Sequence, residues 1–467
     1  MNMQGRSIGA AHVPELDRRI LPPRMDLREA TLDCGLRVIA LRRSSTPLVE
    51  VRIALPAARS GAADPVLLRS LASALYAGAG PGSVNTRVWD LGGELEVSQR
   101  PWHLQISGRV PGTGLEAFLG HLAGPLVAPD LEEVGVPAGA SSTVTAQDSP
   151  WEQLHRELDA RRIRSAADRD AAPQGLAGRS IRSVHEDLVR PEGAVLVLVG
   201  DLDPSQALAS AALAFGEWRP GAPVVSDPLA RSAPAPGLTV LDRPGVPQTH
   251  FALALPGLNR DEDSYPALQL AELVFGGSLS GRLQRSLRGE NGYVYSVTSR
   301  FEFAPADAVR LISSSTRHGT AVRAVSTALS EIRRMGTEPP DEAEIRSARD
   351  YAVGMASVAG ATQATQAEGL LQQARSGLPA RWLEHHLRRL MQVDTEEVRA
   401  AAESFFSETQ VAGALVADTG HIDTAAFHET ASAAGLPFVV RRADTPPPES
   451  CSPAADSPAP HRKVPER

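Results

Sequence analysis

Two ten-residue runs, Leu48 to Ala57 (LVEVRIALPA) and Gln248 to Gly257 (QTHFALALPG), lie about 200 residues apart and read alike. Each reads as a strand. A second pair closes each half. AVLVLVGDLDPSQALASAAL and VAGALVADTGHIDTAAF both give a buried strand, an acidic turn and an alanine-rich helix. Helical stretches lie between these landmarks, including Asp263 to Phe275 and the run from Pro340 to Arg375. A unit written twice in this order predicts an α+β fold: two similar domains from an internal duplication, each a mostly antiparallel sheet packed against helices.

The breaks follow. Residues 219–237 (RPGAPVVSDPLARSAPAPG) lack helical periodicity and read as an extended linker. Residues 444–467 have the composition of a disordered tail. The expected layout is an N-terminal extension (1–29), a first domain (30–218), the linker, a second domain (238–443) and the tail. With 42% hydrophobic residues, the 467-residue chain can bury a large core, which excludes a disordered or fibrous protein. The formal charge, 47 − 55 = −8, argues against a nucleic-acid partner, because phosphate binding needs a basic face. No apolar run is long enough to predict a membrane-spanning helix. The polar start MNMQGRSIGAAHVPELDRR shows no apolar secretory core, so a cytoplasmic protein is expected. Cys34, read as a buried residue in a strand, and Cys451, in the tail, form no disulfide framework and no four-thiolate zinc site.

Chemistry concentrates between Phe275 and Phe303, FGGSLSGRLQRSLRGENGYVYSVTSRFEF. A Gly-Gly turn precedes a short helix carrying Arg282, Arg285 and Arg288; the helix ends near Gly289 to Gly292, and an alternating strand starts at Tyr293. That order puts Arg288 and Tyr295 on one wall, seven positions apart, where a guanidinium and a phenol can together hold a peptide carbonyl or an oxyanion. Read bare, an Arg-rich helix is a solvated face. The glycines could also cradle a phosphate, but the G-x-x-x-x-G-K-[ST] spacing is missing.

This segment resembles the carboxy-terminal domain of insulinase/pitrilysin-type zinc peptidases, most closely the short members typified by mitochondrial processing peptidase. Gly281-Arg282-Leu283, Leu287-Arg288-Gly289 and Gly292-Tyr293-Val294-Tyr295 follow that pattern, with Gly289 where the family has glutamate. The likeness extends over most of residues 30–440. CGLRVIALRR resembles the first strand, DSPWEQLHRELDARRI the helix after the metal site, and LVRPEGAVLVLVGDLD the strand closing the first domain. It implies two similar domains in a clam-shell arrangement around a chamber.

The family's catalytic motif is H-x-x-E-H on a helix, with a further glutamate downstream. The matching positions here hold Arg69, Ala72 and Ser73, and Ser142 lies in the stretch where the distal glutamate belongs. An arginine, an alanine and two serines offer zinc no thiolate, imidazole or carboxylate, so the site does not fit the metal. None of the twelve histidines has another at the i, i+4 spacing; His155 shares a helical face only with Asp159, and His385 and His386 are adjacent. No cofactor is expected in this chain. The resemblance implies instead a non-zinc subunit that pairs with a homologous partner carrying H-x-x-E-H and zinc. Arg288 and Tyr295 would then face a peptide substrate across the chamber. The alternative is an inactive structural or peptide-binding homologue. An autonomous zinc peptidase fails for want of ligands. The Ala, Arg, Gly and Pro bias points to a GC-rich bacterial genome, where related pairs process leader peptides.

Overall fold

The computed structural model describes residues 25–56, 71, 74–76, 83–100, 103–129, 149–161, 181–219, 234–304 and 307–443. The first half contains β1 (Leu27–Thr31), β2 (Arg37–Arg42), β3 (Leu48–Pro56), α1 (Val84–Asp90), β4 (Glu94–Arg100), β5 (His103–Pro111), α2 (Leu115–Val127), α3 (Pro150–Ala160), α4 (Ile181–Leu188), β6 (Val195–Gly200) and α5 (Pro204–Phe215). The second contains β7 (Gly237–Asp242), β8 (Thr249–Pro256), α6 (Tyr265–Glu272), α7 (Arg282–Gln284), β9 (Val294–Ala304), β10 (Asp307–Thr316), α8 (Ala321–Thr337), α9 (Glu342–Ala359), α10 (Gln363–Arg375), α11 (Trp382–Gln392), α12 (Thr395–Phe405), β11 (Ala412–Ala417), α13 (Thr424–Ala433) and β12 (Phe438–Arg442).

The duplication is visible in the strand orders, β1-β2-β6-β3-β5-β4 and β12-β7-β11-β8-β10-β9. The echoed runs become β3 and β8, at the same place in each sheet. Position by position the pairings agree: β2 with β6 and β7 with β11 are parallel, and the next three pairs of each sheet are antiparallel. The outermost strands differ. β1 comes from before its half and pairs antiparallel, whereas β12 comes from after its half and pairs parallel. Central strands β6 and β11 are buried along their whole length, which explains their unbroken apolar sequences.

One face of each sheet packs against helices of its own half, forming the two largest cores around Phe118 and Phe215, and around Phe251, Phe275 and Phe427. The other face is covered by a helix from the opposite half. Leu154 and Leu158 of α3 pack on Leu241, Ala252, Ala254, Leu311, Ala414 and Val416 of the second sheet. Reciprocally, Ala367, Leu370, Leu371 and Ala374 of α10 pack on Ile39, Leu41, Val195, Val197 and Val199 of the first. Both exchanged helices start at capping side chains: a Ser149–Glu152 box with Pro150 at α3, and Thr362 at α10. Both are clamped by arginine. Arg37 donates to Ala374 O (3.0 Å) and Leu378 O (2.7 Å) at the end of α10, while Arg161 and Arg441 both meet buried Glu157 on α3.

Several sequence expectations need adjusting. Cys34 is buried, but in the turn between β1 and β2 rather than in a strand. The run from Pro340 to Arg375 is two helices broken at Gly360–Thr362. Most of the linker and the whole of the tail lie outside the described residues. Among the described residues no helix is long and apolar enough to cross a membrane.

Candidate functional site

The wall read from sequence is assembled. The Arg288 guanidinium stands over the Tyr295 ring, 5.4 Å from its centroid. Both side chains are exposed, and Tyr295 is 86% accessible, the most exposed large apolar residue described. Two local devices aim them outward.

The first is a bulge. Along β9 the residues facing the helices are Val297, Ser299, Phe301 and Phe303, and strict alternation would turn Tyr295 inward with them. Between Ser314 and Thr316 the β10 partner advances two residues while β9 advances three, from Val297 back to Val294. That extra residue puts Val294 into the core and swings Tyr295 out. The V-x-x-V spacing in VYSV carries this signal, and the reading of the sequence missed it.

The second device is the π-helical turn Arg285–Glu290 that follows α7. Its wider winding rotates the residues that follow, and the three arginines part company. Arg282 is committed to Glu344, Nε to Oε1 at 2.8 Å and NH2 to Oε2 at 2.6 Å, and also donates to Glu338 O. This pairing holds the Glu344 carboxyl below the ordinary range. Arg285 is exposed. Arg288, also exposed, is the one of the three that lies over Tyr295. The helix end is closed by Tyr293 N donating to Leu287 O at 2.9 Å, and Gly292, at φ 61°, makes the left-handed turn into β9. Gly289, the departure from the family pattern, has open space where a Cβ would stand, so no neighbour depends on its lacking a side chain.

A buried network anchors the strand. Arg310 of β10 is fully buried and donates to Glu272 Oε2 (3.2 Å), to Pro256 O (3.0 Å) and to Phe405 O, with its guanidinium 4.0 Å over Phe406. Ser299 Oγ donates to the other Glu272 oxygen. An arginine inside the otherwise apolar AVRLIS was the available clue, and sequence reasoning passed over it.

Arg69, Ala72, Ser73 and Ser142 lie outside the described residues; neighbouring Leu71, Leu75 and Tyr76 are buried in the first core. Among the described residues no group of three or more His, Cys, Asp or Glu side chains is placed to hold a metal ion. His155 is exposed on α3. His385 and His386 point apart: His385 bonds Arg381 O, whereas buried His386 bonds Gln269 and stacks on Trp382.

The site thus sits on the second of two similar α+β units, each covered by a helix from the other half. Residues 178–351 match the family described as the Peptidase M16 inactive domain. Uncharacterized zinc proteases of Mycobacterium bovis and Mycobacterium tuberculosis are 28% identical over 243 residues, 50% of this chain and 54% of theirs, so the match spans about half the length of these curated relatives. The peptidase M16 inactive domain from Pseudomonas fluorescens shares the fold at TM-score 0.69 and 19% identity, covering 85% of this chain and 99% of that one. A protease from Helicobacter pylori gives 0.66 at 14% identity, covering 84% of this chain and 100% of the other. These matches bear out the resemblance drawn from the motifs, the inactive-domain match covering residues 178–351.

Proposed function

We propose that this chain is the non-zinc subunit of a two-subunit peptidase and that Arg288 and Tyr295 are its contribution to catalysis. The observation carrying this reading is the Arg288–Tyr295 stack, turned to solvent by a bulge whose geometric effect is to expose an aromatic ring. A guanidinium and a phenolic O–H supply donors that can hold a substrate carbonyl and meet the charge that grows on its oxygen. Zinc and its activated water belong to a homologous H-x-x-E-H partner, because Arg69, Ala72, Ser73 and Ser142 supply no metal ligands here. The substrate is a peptide, with a leader segment as the narrower reading, and the setting a bacterial cytoplasm.

Co-purified with its zinc-bearing partner, Arg288→Ala or Tyr295→Phe should lower turnover about 100- to 1000-fold, equivalent to about 2.7–4 kcal/mol, while the complex still assembles. Full activity in both variants would favour the second reading, an inactive peptide-binding or structural homologue, to which the inactive-domain match lends support.

A further inference from the structure

Flat side chains gather at the far end of β9, in a chain that is only 4% aromatic. Phe301 and Phe303 stack at 5.7 Å. The Arg260 guanidinium, from the loop between β8 and α6, lies 4.0 Å over the Phe303 ring and 5.9 Å over that of Trp382. Trp382 opens α11 and stacks in turn on His386 at 4.4 Å. Buried Tyr265 meets both phenylalanines edge-on, and its hydroxyl lies within hydrogen-bonding reach of Arg260. Arg260, Trp382 and the two phenylalanines are half-buried, so this row reaches the surface.

Ordering an arginine side chain costs up to about 2 kcal/mol in lost rotamer freedom. Four other half-buried arginines offset that cost against a carboxylate: Arg37 with Glu29, Arg161 with Glu157, Arg282 with Glu344 and Arg381 with Glu384. Arg260 has no such partner among the described residues. Rings hold its flat faces and Tyr265 part of its edge, which leaves the rest of a pre-aimed donor fork for a ligand. Three acids follow it in sequence. Glu262 is taken up by Asn259 N at 2.9 Å, and Asp263 lies near Arg389. Their charge disfavours a phosphate dianion, whereas a flat, singly charged carboxylate suits both the fork and its surroundings.

The geometry points to a carboxylate site: Arg260, set between Phe303 and Trp382, binds a peptide carboxylate whose neighbouring side chain is apolar. Fork and carboxylate meet edge to edge, and the apolar side chain lies against the two rings. The carboxylate is that of a chain end or of an acidic side chain, since the same chemistry recognises either. Side chains alone make the contact. Phe303 lies eight residues along β9 from Tyr295, roughly 26 Å at the rise of a strand, and on the opposite face of the sheet. The site is therefore separate from the Arg288–Tyr295 wall, and it stands whether or not that wall serves catalysis.

The full chain is titrated by calorimetry with three short N-acetylated peptides. The first ends in leucine-phenylalanine with a free carboxylate, the second is its amide, and the third is an amide with glutamate beside the phenylalanine. A carboxylate held by the fork should bind about tenfold more tightly than the plain amide. A gain of that size from either acidic peptide supports the site, and the peptide that shows it names the source of the carboxylate. Arg260→Lys keeps the charge but loses the fork, so it should bind the acidic peptide about tenfold more weakly. Should that variant fail to fold, the three-peptide comparison decides on the unmodified chain. Equal binding of all three peptides, no saturable binding, or inorganic phosphate binding as tightly as the acidic peptide overturns the proposal. So does a folded Arg260→Lys protein with unchanged affinity.

Discussion

Arg310 shows how a charge can sit in a place where nothing else about the sequence prepares for it. Burial pushes its guanidinium below the ordinary arginine range, and only the Glu272 carboxylate pulls it back. Replacing Glu272 with glutamine leaves a buried cation unpaired and should cost about 3–5 kcal/mol in urea unfolding, whereas the apolar pair Glu272→Leu with Arg310→Met should recover most of the loss. A Glu272→Gln variant as stable as the parent would show that the pair is dispensable. His386 gives a second residue-scale test. Burial, with Arg260 nearby, lowers its pKa to about 4, against about 6.5 for a free imidazole. Between those two values the unfolded chain takes up a proton that the folded chain refuses. The stability this histidine contributes is therefore whole above about pH 6.5 and is lost as pH falls toward 4, a drop of about 3 kcal/mol for a shift of roughly 2.5 units. His386→Phe keeps a ring on Trp382 and should flatten that acid limb; an unaltered pH profile would assign the limb to other groups.

At the scale of elements, the helix–turn–strand unit from Arg282 to Ala304 separates what a glycine must do from what it merely permits. Gly292 adopts φ 61°, so Gly292→Ala forces an L side chain into the left-handed region and should destabilise by about 1–2 kcal/mol. Gly289 has open space where a Cβ would stand, and Gly289→Glu, which restores the family residue, should stay within about 0.5 kcal/mol when both variants are compared in thermal melts. Reversed ranks would mean that the turn is held by something other than backbone conformation. This unit was legible from its residues because glycine, arginine and aromatic spacing are local. The echoed strands β3 and β8 were legible for a related reason, since a strand's residues are consecutive and both runs end in the same Ala-Leu-Pro, Ala54 to Pro56 and Ala254 to Pro256. The bulge was not, because a one-residue slip in a period-two pattern leaves the composition unchanged. The break at Gly360–Thr362 was likewise hidden inside a continuous helical composition.

The whole molecule is joined by the two exchanged helices, which no local pattern could announce. The apolar stripe of WEQLHRELDA says that α3 is buried, but not that the sheet beneath it belongs to the other half. Each sheet is thereby finished by a helix from the other half of the sequence, as α10 finishes the first and α3 the second. Exposing either sheet face would uncover a row of valine, isoleucine and alanine side chains, so neither half is complete alone. Leu371 makes this measurable. It is fully buried, it lies on α10 in the second half of the sequence, and it packs against the first sheet. Leu371→Ala should destabilise the protein by about 2–5 kcal/mol. Because the helix is shared, hydrogen exchange should quicken together in β2 and β6 and in β8 and β11, as one cooperative unit. Loss of protection confined to the first sheet would show instead that the halves unfold separately and that the exchanged helices are only a surface contact between two independent domains.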